Sequence, residues 1–159
     1  MSSRLDDGFS TIIGFYANKT ACDADTTDTA SDFSLFFEKE VTPPGMAGGG
    51  ANDTSTMRNS IWRTKAPKGL ITLSDASFTA AYDPEVLNEI VAGLNANKYI
   101  RIIFPNGNAW EFWGWLDEFT PGASVEGEQP TADCTIIPSN QDDAGAETAP
   151  IYLATAVGH

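Results

Sequence analysis

Lys98 to Phe119 reads KYIRIIFPNGNAWEFWGWLDEF, and this segment decides the fold class. Two runs rich in isoleucine and aromatic residues flank Pro105-Asn106-Gly107-Asn108. An Asn-Gly pair supplies the positive φ angles of a tight hairpin turn. The runs 98–104 and 108–119 are therefore expected to be paired antiparallel strands. Ile100, Ile102 and Phe104 point one way. On the return strand Trp110, Phe112 and Leu116 alternate with Glu111, Trp113, Trp115 and Asp117. Both faces carry large apolar groups. That pattern implies one face on the core and the other partly covered by a neighbour.

Outward from this hairpin, the chain reads as a series of short strands. Apolar or alternating runs occur at 11–16, 33–41, 57–64, 70–73, 76–82, 123–127, 132–137 and 151–157, bounded by Gly, Pro, Asn or Asp. Residues 17–32 and 138–150 are polar and read as loops. One helix is predicted, over 84–95. Asp83 suits its N-cap, Pro84 its first position and Glu85 the positive end of its dipole. Val86, Leu87, Ile90, Val91 and Leu94 form its apolar stripe, and Asn95 or Asn97 closes it in a left-handed conformation. At 159 residues the chain is expected to form one domain. The expected fold is mainly β, with one helix and a long extended loop.

That loop occupies 42–57, within VTPPGMAGGGANDTSTMRNSIWRTKAPKGL from Val41 to Leu70. Pro43, Pro44 and the run Gly48, Gly49 and Gly50 disfavour helix and regular strand. Four cations follow, Arg58, Arg63, Lys65 and Lys68, with no acid between Asp53 and Asp75. A structureless loop this long in a folded domain points to function or disorder.

The remainder is acidic. The net charge is −13, and every lysine and arginine lies at or before Arg101. Such a surface repels phosphate backbones and anionic lipid, so specific nucleic-acid binding and membrane association are not expected. The N-terminal residues show no export signal, and Cys22 and Cys134 share no metal-ligand spacing. The sole histidine is His159, which leaves no base for a Ser-His or Cys-His mechanism away from a chain end. Asp23, Asp25 and Asp28 start a calcium-like run, but Asp28 and Ser34 stand where an EF-hand needs Gly and Glu. Glu111, Asp117 and Glu118 beside tryptophans evoke a glycosidase, yet one strand does not supply an opposed carboxylate pair. No enzyme activity, catalytic residue, metal or cofactor is expected.

Several motifs, in order, carry a family likeness. They are Val41-Thr42-Pro43-Pro44-Gly45, Arg63-Thr64-Lys65-Ala66-Pro67, Tyr82-Asp83-Pro84, and Thr120-Pro121-Gly122 leading to Thr135-Ile136-Ile137-Pro138. Over roughly 33–140 the chain resembles a major tail tube protein of long-tailed, siphovirus-like bacteriophages. The resemblance implies a fold of two packed antiparallel sheets, in a sandwich or barrel, with one flanking helix, and hexameric rings that self-assemble into a hollow tube through which DNA passes transiently. It implies a virion-tail location after synthesis in the host cytoplasm, with tape-measure and tail-completion proteins as partners. It also implies that the loop carrying Pro43, Pro44, Gly45, Met46, Gly48, Gly49 and Gly50 reaches neighbouring subunits.

Charge patterning points the same way. A head-to-tail contact needs two different patches on one molecule. Arg58, Arg63, Lys65 and Lys68 are the candidate donor, and the acidic C-terminal third is the candidate acceptor. Acidic walls would keep DNA from adhering to a bore. Glu38, Glu40, Glu111, Asp117 and Glu118, in or beside strands, are the lumen candidates. Two alternatives stand beside this one. The first is a type VI secretion tube or another tail module on the same fold. The second is a β-sandwich carbohydrate-binding module using Trp113 and Trp115.

Overall fold

The computed structural model describes residues 11–24, 37–81, 87–104 and 108–153. The chain runs β1 (Ile12–Tyr16), α1 (Lys19–Ala24), β2 (Phe37–Thr42), β3 (Met46–Ala47), β4 (Ala51–Asp53), β5 (Lys65–Pro67) and β6 (Thr72–Leu73). It continues with β7 (Ala76–Ala81), α2 (Leu87–Gly93), β8 (Lys98–Ile103), β9 (Ala109–Pro121), β10 (Thr131–Pro138) and β11 (Ile151–Leu153). The expected hairpin is present: β8 pairs antiparallel with β9 from Lys98↔Gly114 to Ile103↔Ala109. Its Asn-Gly turn lies outside the described residues, as do 33–36, the helix start at 84–86 and the tail 154–159.

The main sheet has seven antiparallel strands in the order β1-β8-β9-β10-β7-β2, with β11 on the free length of β9. Three strands separate β1 from β7 along this path. Nevertheless Phe15 and Phe78 share one core, with ring centroids 6.5 Å apart. The sheet therefore curls until its two halves face each other. The family resemblance implies two packed sheets, and the structure builds both layers from one hydrogen-bonded sheet. Ile100, Ile102, Phe112 and Leu116 lie in this core as expected, and Ile90 of α2 joins them. Each fully buried side chain of this size contributes roughly 1.5–3 kcal/mol.

Helix α2 departs from its predicted stripe at Val91, which is exposed. Asn95 closes the helix in the left-handed region (φ 58°), and its amide donates to Leu116 O at 3.0 Å. Two further expectations fail. Residues 57–64 form a turn instead of a strand, and 123–127 likewise form a turn, closed by Glu128 N–H to Val125 O at 3.1 Å. The polar stretch 17–32 contains α1. Asn18 caps that helix, accepting from Ala21 N–H at 2.8 Å, and Lys19 pairs with Asp23 at 2.9 Å.

Helix α1 changes the meaning of the second hairpin face. Cys22 and the β-strand residues Tyr16, Tyr99 and Trp113 form a second buried cluster. The face expected to await a neighbouring molecule is covered there by the chain's own helix.

Candidate functional site

Three surfaces bear on function: the excursion between β2 and β7, the polar outer face of the sheet, and the polar cluster under α1.

The excursion is an ordered arm. At its root Pro44 is buried, Gly45 N–H donates to Ser74 Oγ at 2.8 Å, and Ser74 N–H donates to Gly45 O at 2.8 Å. Then β3 pairs with β6 (Met46↔Leu73, Ala47↔Thr72) and β4 with β5 (Ala51↔Pro67 to Asp53↔Lys65). The glycine run joins the two ribbons. Gly49 and Gly50 both take positive φ (69° and 86°), which few other residues adopt without strain. The prolines and glycines thus divide the strand pairing; they do not abolish it. At the tip, Thr54 N–H donates to Thr64 O at 2.9 Å, and Asn59 Nδ2 donates to Trp62 O at 2.9 Å. Asp53 accepts from Ser55 N–H at 2.9 Å, and its bonds with Ser55 hold its carboxyl below the usual carboxylate range.

From Gly45 to Ile71 only Ser55, Asn59 and Ala66 escape full exposure. The arm therefore stands off its own sheet. Arg58, Arg63, Lys65 and Lys68 are all exposed, and Arg63 reaches Asp53 at 3.4 Å. Beside them Met57, Ile61 and Trp62 are exposed, the last to 81%. These apolar residues belonged to a predicted strand; the turn instead displays them.

The outer face of β2, β7, β10 and β9 is polar and acidic. Register sets Glu40 opposite Thr79, Asp133 opposite both Thr79 and Thr120, and Glu118 opposite Thr135. Thr79 Oγ1 donates to Asp133 Oδ1 at 2.8 Å, and Thr120 Oγ1 donates to Glu118 Oε1 at 2.8 Å. Strands β7, β9 and β10 hold no lysine or arginine. A concavity of about 170 Å³ lies between Glu40, Thr79, Asp133 and Thr135. That is below the roughly 300–1,000 Å³ of small-molecule sites. Among the described residues no His, Cys, Asp or Glu cluster is arranged to hold a metal, and no helix is long and apolar enough to cross a membrane.

The lumen candidates fall in different places. Glu40 and Glu118 are exposed on this acidic face. Asp117 is exposed at a bulge, where pairing steps from Thr135↔Glu118 to Ile136↔Leu116. Glu38 belongs to β2, but its side chain lies outside what is described. Asp133 was missed. Its signal in the sequence is the alternation of Thr131, Asp133 and Thr135 with Ala132, Cys134 and Ile136, which are buried.

Glu111 is a correction, being only 1% exposed. Arg101 Nε donates to its Oε1 at 3.0 Å and Tyr99 OH to its Oε2 at 2.6 Å, while Cys22 Sγ lies 3.8 Å from Oε1. Arg101 also donates from a terminal nitrogen to Cys22 O at 3.1 Å and lies 5.8 Å from the Tyr16 ring centroid. Burial, then Glu111, pushes the Cys22 thiol up to about 12. The same causes raise the Tyr99 hydroxyl. Because β9 alternation puts Glu111 on the face that α1 covers, its carboxylate meets protein in place of solvent. Trp113 is buried in that cluster, so it offers no stacking face for a glycan.

No protein-family model matches the chain, and no curated protein is similar to it by sequence. Solved structures do share its fold. One is a chain from the tail of an empty gene transfer agent particle with C6 symmetry, at TM-score 0.50 and 10% identity, covering 76% of this chain and 84% of that one. Another belongs to the sixfold-symmetrised baseplate of an anti-feeding prophage, at TM-score 0.50 and 7% identity, covering 74% and 80% respectively. The likeness is one of fold: the curled antiparallel sheet is a fold that occurs in phage-tail-like assemblies.

Proposed function

We propose that the chain is the repeating wall subunit of a phage-like tail tube, assembling into rings that stack into a hollow conduit for DNA. The arm is the observation that carries this reading. It is ordered by its own hydrogen bonds, stands off its own sheet, and carries four exposed cations along its length and an apolar tip. An isolated molecule gains nothing from such an element, whereas a neighbouring copy with an acidic surface does. Interfaces are rich in aromatic residues, methionine and arginine at their centres.

The acidic outer face supplies the second half of the argument. In this reading Glu40, Glu118 and Asp133 face the bore, with Asp117 at its margin and Glu111 removed from the set. A wall bearing carboxylates and hydroxyls repels phosphates, so DNA slides without being gripped. The protein acts as a structural component with itself as principal partner. The baseplate likeness favours one runner-up: a different tail module built on the same sheet.

Electron microscopy of concentrated protein tests the proposal. Rings and hollow rods are expected. A strict monomer, even when seeded with assembled material, would refute it.

A further inference from the structure

Resting on the tube reading, we infer that the receptor for the arm tip is the turn between β9 and β10, residues 122–130, of the next copy along the tube. Strand register separates the two features. The arm leaves the sheet at Thr42 and returns at Ala76, where Thr42 opposes Ser77 and Ala76 opposes Ile136. The β9–β10 turn lies at the other end, where Pro121 opposes Ala132 and Thr131 opposes Ala81. Five residues of β7 separate these ends, roughly 17 Å at the usual rise of a strand. Copies stacked head to tail along the strands bring the arm of one to the turn of the next.

The chemistry of the two ends matches. The turn is held by Gly122 N–H to Thr131 O at 2.8 Å, with Gly127 at a positive φ of 83°. It displays Val125, 52% exposed, between the exposed carboxylates Glu126 and Glu128 and the small residues Ala123 and Ser124. No lysine or arginine lies between Gly122 and Pro130. The arm tip displays Ile61 and Trp62 between Arg58 and Arg63. An apolar centre flanked by acids thus faces an apolar centre flanked by bases, the pattern that fixes register and partner choice at an interface.

The other acidic loop, 139–149, fits less well on two counts. It leaves β10 after Pro138, which opposes Gly114 at the same end of the sheet as the arm root. Its Asp142 is also occupied internally, accepting from Ala144 N–H at 2.9 Å and Ala146 N–H at 2.8 Å.

Disulfide trapping during assembly tests the receptor. Cys22 and Cys134 are buried, so an introduced pair reports alone. Full-length protein carrying Ile61→Cys and Val125→Cys should give a ladder of covalent multimers on oxidation. Either single variant should stop at dimers. A ladder from Ile61→Cys with Asp143→Cys, or none from the Val125 pair while that variant still forms rods, overturns the inference and leaves the tube reading standing. Absence of rings and rods from the unmodified protein removes both. A charge exchange gives an independent readout. Glu126→Lys with Glu128→Lys should cut rod number about tenfold or more while rings persist, and adding Arg58→Glu with Arg63→Glu should restore rods. Unchanged rod number in the first variant would count against this receptor.

Discussion

Two arginine–carboxylate pairs in this chain have the same chemistry and opposite consequences. Arg101 and Glu111 meet at 3.0 Å with side-chain exposures of 1% and 0%, while Arg63 and Asp53 meet at 3.4 Å with exposures of 80% and 52%. The first pair is cross-braced by Tyr99 and by the Cys22 carbonyl, so it fastens α1 to the sheet. The second is screened by water and adds little to the stability of the fold. One region uses charge to complete the monomer. The other leaves charge available to a second molecule. Burial, more than the identity of the partners, decides which role a pair performs.

The buried pair is where the contrast breaks hardest. Glu111→Ala removes the buried carboxylate to which Arg101 Nε and Tyr99 OH donate and should cost about 3–5 kcal/mol, read as a lowered urea midpoint. Replacing both residues together, with Arg101→Met and Glu111→Leu, should recover most of that loss. A double variant as unstable as the single would show that the ion pair is not the source of the effect.

Alkaline pH should weaken the monomer next. Burial raises both thiols, Cys22 and Cys134, from 9.0 to about 12. Folded protein then holds protons that the unfolded chain releases, so this stability is complete below pH 9 and is lost as pH climbs toward 12. A fall in melting temperature of about 10 °C between pH 9 and 11 is expected. The double variant Cys22→Ala with Cys134→Ala should show a smaller fall over that interval. An equal fall would assign the effect to other groups such as Tyr99.

Gly114→Ala sharpens the comparison within β9. An added Cβ would lie 2.7 Å from Ile137 O, forcing β9 and β10 apart beside the bulge. About 1–3 kcal/mol of destabilisation is expected by denaturant titration. At the opposite extreme, Trp62→Ala should change monomer stability by less than about 0.5 kcal/mol yet reduce rod formation measurably by light scattering. A clear loss of monomer stability would mean that Trp62 packs on its own chain.

Much of the fold was legible because alternation and turn chemistry are local. The β8–β9 pairing, its inward row of Ile100, Ile102, Phe112 and Leu116, and the Asn95 helix end all follow from neighbouring residues. Helix α1 was hidden because Lys19–Ala24 contains one buried residue, Cys22, too few for a periodic signal. The arm was half visible. Its prolines, glycines and cations marked an excursion, while the two ribbons depended on pairings across up to 27 residues, as Met46↔Leu73 shows. Among the acids, sequence placed Glu40 and Glu118 beside strands but offered no means of telling their surroundings from those of Glu111.

Sequence alone determined which side chains share a face, where the chain must turn, and how its charge divides into a short basic stretch and a long acidic remainder. The tertiary structure decided which faces meet water. That outcome depends on α1 settling over β8 and β9, and on the sheet curling until Phe15 reaches Phe78. A side chain's direction is set by the backbone within a residue or two, whereas its solvent is set by segments distant in the chain.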